Sequence, residues 1–233
     1  MKVVILCGGE GLRLRELTDK IPKPLIEIGG KPILWHIMKI YAHYGHNDFI
    51  LCLGYKGDKI KEYFDNNGHE FGSVAFVDTG LNATRAERLK KVEKLIDSDD
   101  FFLAYGDDVS DVDINSVLDF HVKSEKMATM TSVKLISQYG ILKLNAKNEI
   151  TAFDEKPILD YWINGGFFVL NKKIFSYIKS GMELDQVFGN LAGKRQVCAF
   201  KHAGFWKSMN TLKDVKELND IWESGHALWK VWK

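Results

Sequence analysis

The first fifteen residues constrain this chain most. Val3-Val4-Ile5-Leu6 is an unbroken, mostly β-branched apolar run, which reads as a strand buried on both faces. It passes directly into Cys7-Gly8-Gly9-Glu10-Gly11-Leu12-Arg13-Leu14-Arg15. Glycines at such a place let the backbone take positive φ and let another group approach its N–H atoms. Those donors, with arginines beside them, suit a polyphosphate. The same pattern fits an ordinary strand-to-helix turn, so the stretch alone leaves both readings open.

Further along, Lys20-Ile21-Pro22-Lys23-Pro24-Leu25 predicts an extended segment, because two prolines two residues apart oppose helix. Lys23 is then either a solvated linker lysine or a lysine held over the glycine loop. Ile33 to Tyr41 has the apolar spacing of a largely buried helix, in which His36 packs rather than ligates. Strands are expected at Asp48–Leu53, Ser73–Asp78 and Phe101–Tyr105. Between them lie helices over Ile60–Phe64 and Arg85–Ile96. This alternation predicts an α/β fold with a mostly parallel sheet and ligands beyond the strand C-termini. There the Gly8 loop, the loop after Asp78 and the Gly106-Asp107-Asp108 turn would gather.

The second half predicts a helix from Asp113 and strands at Ala128–Leu135, Phe167–Leu170 and Val197–Phe200. A hairpin is expected around Asn145–Asn148, a helix through Phe175–Ile178, and a last helix over Leu212–Trp222. Trp162-Ile163-Asn164-Gly165-Gly166 reads as a turn before its strand. Trp229 and Trp232 predict a tail docked on the body or on another subunit. No linker or repeat divides the 233 residues, so one domain is expected.

Charge is balanced, 32 Lys+Arg against 31 Asp+Glu, so nothing favours nucleic acid or a membrane surface as a partner. Cys7, Cys52 and Cys198 are far apart in apolar settings and read as reduced core residues. A Met-Lys start running into a core strand, with no apolar run of membrane-span length, predicts a cytoplasmic protein.

Asp107 at a strand end is a natural Mg²⁺ ligand, since that ion takes one or two carboxylates and completes its shell with water and phosphate. A turn-capping role competes with that reading. Lys156 in Glu155-Lys156-Pro157 is either a phosphate contact or a loop lysine.

Together these stretches resemble the sugar nucleotidyltransferases, most closely the glucose-1-phosphate cytidylyltransferases. The resemblance runs from Met1 to Lys233. It rests on Gly8–Leu14, Pro22-Lys23-Pro24, Ile28–Met38, Gly54-Tyr55-Lys56-Gly57, Val77-Asp78-Thr79-Gly80, Tyr105-Gly106-Asp107, Glu155-Lys156-Pro157, Ile163–Leu170 and Gly204-Phe205-Trp206. It implies a single-domain Rossmann-like nucleotidyltransferase fold over residues 1–233. It also implies CMP transfer from CTP to a phosphorylated small-molecule acceptor with release of pyrophosphate, in supply of precursors for surface polysaccharide. By the same resemblance Leu6, Gly8, Gly9, Gly11, Arg13, Lys23 and Gly106 hold the nucleotide, with Arg13, Lys23 and Asp107 catalytic. Lys156, Asn164, Gly165, Arg85 and Arg88 face the acceptor, and Asp107 with Asn210 holds Mg²⁺. A homo-oligomer is a further expectation.

The chain departs from that pattern in three places. The family's second metal-binding Asp falls at Asn210, so either the metal is held more weakly or Asp108 restores the charge; Asp214 is a weaker candidate. The segment between Phe64 and Val77 is shortened. The loop after Gly80 carries Arg85-Ala86-Glu87 where the family has glycines, so Arg85 could read a polar group on a different acceptor. Related cytidylyltransferases use non-sugar acceptors such as phosphoglutamine. Two other readings stand beside this one. A glycosyltransferase would use Asp111-Val112-Asp113 as a metal motif, although its place before a helix suits N-terminal capping. A non-catalytic nucleotide-binding paralogue would explain Asn210.

Overall fold

Seven strands of a single sheet organise the protein, seen in a computed structural model that describes all 233 residues. They are β1 (Lys2–Leu6), β2 (Asp48–Leu53), β3 (Ser73–Asp78), β4 (Asp100–Tyr105), β5 (Ala128–Ile136), β6 (Ile158–Asn171) and β7 (Val197–His202). Their spatial order is β7-β5-β6-β4-β1-β2-β3. The pairs β1–β2, β1–β4, β2–β3 and β5–β7 are parallel. Only β6 runs against its neighbours, β4 and β5.

The apolar run of β1 is buried on both faces because the sheet is covered on both. Val3, Ile5 and Cys7 point into one core with helix Ile33–His43; Val4 and Leu6 point into a second core with helices Arg85–Lys91 and Leu184–Gly193. Each such side chain contributes about 1.5–3 kcal/mol of burial. The order of parallel strands reverses around β1: β2 and β3 extend to one side and β4 lies on the other. The crevice between the C-terminal ends of β1 and β4 is therefore the topological switch point, where α/β sheets bind ligands. The glycine loop and Asp107 leave the sheet there.

Several expectations need correction. Lys23-Pro24-Leu25 is a short 3₁₀ turn, while Pro22, with ψ 147°, keeps the extended form. Proline tolerates the first turn of a helix, where its missing N–H would be unpaired anyway. Arg85–Ile96 is a helix only to Lys91 and then a 3₁₀ turn, Glu93–Leu95. The segment containing Phe175 is also 3₁₀, Lys172–Tyr177. Trp162–Gly166 is no turn before a strand: β6 runs through it, and the register slips between Asn164 and Phe168. Gly165 and Gly166 form a bulge where the strand passes the crevice.

Helix Leu184–Gly193 and the three-residue ladder pairing Asp108–Ser110 with Trp206–Ser208 were not anticipated. Cys198 is half-buried, while Cys7 and Cys52 are buried. The tail docks on its own body: Trp229 is fully buried, and its Nε1–H donates to His36 Nδ1 at 3.3 Å. The hairpin of Ile141–Leu144 and Ile150–Asp154 pairs as expected. No helix is long and apolar enough to cross a membrane.

Candidate active site

The loop after β1 is tied to the end of β2: Cys7 N–H donates to Cys52 O at 3.0 Å, and Tyr55 N–H to Gly8 O at 3.1 Å. Two of its glycines are required for space or backbone shape. A Cβ on Gly8 would fall 2.1 Å from Nη1 of Arg88. Gly11 has φ +66°, and a Cβ there would lie 3.0 Å from both Lys23 Cβ and Thr18 Cγ2. So the lysine stem crosses over the loop, as one of the two sequence readings of Lys23 required. Gly9 faces open space. Arg13 is exposed at the loop's end and makes no hydrogen bond or ion pair with the protein, so its guanidinium is free for a ligand.

The Lys23 ammonium is held at 2.5 Å from Asp107 Oδ2 and 3.1 Å from Asn210 Oδ1. Residues 107 and 210 are far apart in sequence but strapped together by backbone, since Met209 N–H donates to Asp107 O at 2.9 Å. Ammonium is only a donor, so the Asn210 atom facing it is the amide oxygen. Asn210 Nδ2 donates to Ser208 Oγ at 2.7 Å, which fixes that orientation.

A cation thus already lies where two oxygens from distant segments converge. That donor set suits a hard divalent ion completing its shell with water and phosphate. The residues present fit the metal that the resemblance implies, with one carboxylate and one neutral oxygen.

Neither proposed replacement for the missing carboxylate bonds the Lys23 ammonium. Asp214 Oδ2 is occupied by Asn210 N–H at 3.1 Å, Thr211 N–H at 2.8 Å and Thr211 Oγ1 at 2.8 Å, a helix capping box. Asp108 is buried against the β6 bulge, so close that a Cβ on Gly166 would fall 2.1 Å from its Oδ2. Burial, reinforced by the neighbouring Asp107 charge, pushes the Asp108 carboxyl well above its usual range. Both influences oppose a second negative charge beside Asp107.

Around the crevice opens a cleft of about 1030 Å³. Leu6, Gly8, Gly9, Gly11, Gly106 and Asp107 line it, as do Arg13, Lys23 and Asn210. On the opposite wall, Asn164 Nδ2 donates to Tyr105 Oη at 3.3 Å, and its Oδ1 accepts Gly166 N–H at 2.9 Å. Gly165 turns its carbonyl to Trp206 Nε1–H at 2.8 Å, so Trp206 rather than Gly165 forms that wall.

Of the three other expected acceptor contacts, Arg85 lines the cleft and two sit differently. Lys156 does not line the cleft; it lies exposed at a bend with φ +46°, with its Nζ 3.7 Å from Glu155. Arg88 lines the cleft floor but is buried, donating to Leu53 O, Thr79 Oγ1, Gly80 O and Leu81 O. Its geometry supports the Gly8 loop. Arg85 is at the rim, paired with Asp185 at 2.8 Å and with Glu183 at 3.7 Å.

The Arg85–Glu87 departure also has a local cause. Thr84 and Glu87 form a capping box, Glu87 Oε1 accepts Gly181 N–H at 2.8 Å, and Ala86 is fully buried. The Asp111-Val112-Asp113 motif is likewise structural. Asp113 caps its helix by accepting Ser116 N–H at 3.0 Å, and Asp111 pairs with His202 at 2.8 Å.

Ser208, Tyr105 and Glu183 are site residues that sequence reasoning missed. Ser208 sits on a strand of three residues, too short to show any period, and Glu183 is brought in by an unforeseen helix.

The family model described as Nucleotidyl transferase matches residues 2–225. A "Probable glucose-1-phosphate cytidylyltransferase" of Bacillus subtilis is 41% identical over 255 aligned positions, covering 100% of each chain. A "Glucose-1-phosphate cytidylyltransferase" of Salmonella typhimurium is 42% identical over 258 positions, again covering 100% of each. Both alignments exceed 233 residues, so both relatives carry residues that this chain lacks. Among solved structures, the inositol-1-phosphate CTP transferase of T. maritima superposes with a TM-score of 0.74 at 21% identity, covering 100% of this chain and 97% of that one. HddC of Yersinia pseudotuberculosis, complexed with GMP-PN, has a TM-score of 0.75 at 23% identity, with 95% and 99% covered. At those identities the likeness is one of fold.

Proposed function

The chain belongs to the nucleotidyl transferase family, and from that premise we propose that it transfers CMP from CTP to a sugar 1-phosphate and releases pyrophosphate. The observation that carries this reading is the meeting of Lys23, Asp107 and Asn210 beside the glycine loop. That meeting places a lysine ammonium and a pair of cation-binding oxygens where a triphosphate would lie.

In the proposed reaction an acceptor phosphate oxygen attacks the α-phosphorus of CTP. A new P–O bond forms as the bond to the β-phosphate oxygen breaks, and pyrophosphate leaves with that electron pair. Phosphate is already nucleophilic at neutral pH, so the protein needs no covalent nucleophile. It acts by positioning and by neutralising charge. Backbone N–H groups of Gly8–Gly11 cradle phosphates, and the unpaired Arg13 guanidinium meets the leaving pyrophosphate. Lys23, stiffened by prolines on both sides, faces the reacting phosphorus. A divalent cation, Mg²⁺ in this proposal, bound by Asp107 and Asn210 would neutralise phosphate charge. Asn164 and Trp206 form the acceptor wall.

The sugar 1-phosphate follows from the full-length likeness to the two glucose-1-phosphate cytidylyltransferases, which makes glucose 1-phosphate the first acceptor to test. Of the altered loop, Ala86 and Glu87 serve helix packing and capping, which leaves Arg85 at the rim as the residue that would read a different acceptor.

The test is a panel of phosphorylated sugars and phosphorylated amino-acid amides, each with all four nucleoside triphosphates and Mg²⁺, read by pyrophosphate release. Turnover should be highest with CTP and a sugar 1-phosphate. Preference for a non-sugar acceptor would overturn the acceptor assignment. CTP binding with no pyrophosphate from any acceptor would identify a binding paralogue instead.

A further inference from the structure

Asp107 Oδ2 and Asn210 Oδ1 are the two protein oxygens placed to hold a divalent ion, and both already hold the Lys23 ammonium. The site is mostly shielded from solvent, with Lys23 and Asp107 side chains 12% and 25% exposed. Among the three groups in contact, the lysine and carboxylate charges cancel and Asn210 adds none. A divalent ion placed on the same oxygens with Lys23 still present would leave two cations a few ångströms apart with one negative charge between them. In a poorly solvated cleft that arrangement is strongly unfavourable.

We propose that the Lys23 ammonium and the divalent cation are alternative occupants of one point between Asp107 and Asn210, so that metal enters only as nucleotide draws Lys23 away. This rests on the function given above, because the polyphosphate is what supplies Lys23 with a new partner. The lysine stem is laid over Gly11 by its neighbouring prolines, so a small movement of its end carries the ammonium from the carboxylate toward the loop that cradles phosphates. Asn210 sets the balance. With one carboxylate in place of two against the ammonium, the Lys23 pairing already occupies the carboxylate that free metal would need. Substrate binding is thereby ordered: nucleotide, or nucleotide already carrying metal, binds first, and free metal alone binds poorly.

The test titrates Mn²⁺ into nucleotide-free protein and reads free Mn²⁺ by electron paramagnetic resonance. Lys23→Met keeps the stem and removes the charge, and it should bind Mn²⁺ at least about tenfold more tightly than the unaltered protein. Arg13→Met removes an equal charge from the same cleft without touching Asp107; its affinity should change by less than about threefold. In the Lys23→Met background, Asp107→Asn should abolish the gain. Lys23→Gln serves as a second variant, and thermal melts confirm that each protein folds. Equal Mn²⁺ affinity in Lys23→Met and the unaltered protein overturns the proposal, as does an equal gain in Arg13→Met or a gain that survives Asp107→Asn. Failure of the functional reading would show separately, as absence of CTP-dependent pyrophosphate release, which the nucleotide-free titration does not involve.

Discussion

The Arg88 guanidinium occupies the space that a side chain on Gly8 would need, with Nη1 2.1 Å from the would-be Cβ. It cannot easily yield, because it donates to Leu53 O at 3.1 Å, Thr79 Oγ1 at 2.7 Å, Gly80 O at 2.8 Å and Leu81 O at 2.9 Å. One buried arginine thus joins the end of β2 and the loop after β3 to the underside of the glycine loop.

Gly8→Ala should therefore disturb structure and nucleotide binding together. Overpacking against a pinned group costs about 1–3 kcal/mol. The loop can relieve the clash only by moving its N–H groups. A lowered melting temperature and weakened CTP binding are expected in parallel; a variant that melts and binds normally would contradict the packing described.

Arg13→Ala should separate the two properties. Arg13 is exposed and has no partner in the protein, so the melting temperature should not change. Loss of a preorganised cation at the leaving group should lower turnover by about 10²–10³-fold. Steady-state kinetics beside a thermal melt decides it, and an active Arg13→Ala enzyme would remove Arg13 from the mechanism.

Ser208→Ala probes the amide of Asn210. Without the hydroxyl that accepts Nδ2–H at 2.7 Å, the amide is free to rotate and present its NH₂ group to the cation site. A lost hydrogen bond of about 1 kcal/mol implies roughly a fivefold drop in kcat/KM at limiting metal. The drop should shrink at saturating metal. An equal loss at every metal concentration would point to a different role for Ser208.

His36 makes stability depend on pH. Burial lowers its pKa from 6.5 to about 4, outweighing the backbone carbonyls of Ile28 and Lys31, which favour the charged form. The neutral ring donates from Nε2 to Ile28 O at 2.8 Å and accepts Trp229 Nε1–H at Nδ1. Between about pH 6.5 and 4 the unfolded chain binds this proton and the folded one does not. Stability falls as pH falls through that window, by about 3 kcal/mol in all, and this contribution levels off below pH 4. Denaturant melts of the unaltered protein and His36→Gln at pH 7.5, 6 and 4.5 should differ in slope, with the variant flatter. Parallel slopes would show that other groups carry the pH dependence.

How much of the site was legible in the sequence follows the range of the interactions. Gly8 and Gly11 are needed for local reasons, a close approach and a positive φ, and glycine patterns announce such needs. Asp107 was legible as a polar residue just past a strand end. The Gly165-Gly166 pair announced a break but not its kind: β6 bulges there, and Gly166 leaves the space that the Asp108 carboxyl fills. Lys156, similar in type and motif to a phosphate contact, is not among the residues lining the cleft, and nothing in its own neighbourhood of sequence reports that.

The sequence by itself determined the strand that enters the glycine loop, the α/β alternation and the family, because each is written in local periodicity or in motif order. Only the tertiary structure decided that Asn210 aims its oxygen at Lys23, that Asp108 is buried against Gly166, and that Arg88 props the loop. Those outcomes come from backbone contacts between segments roughly a hundred residues apart, such as Met209 N–H on Asp107 O. A residue's type states which bonds it can make, and packing alone states which partner is within 3 Å.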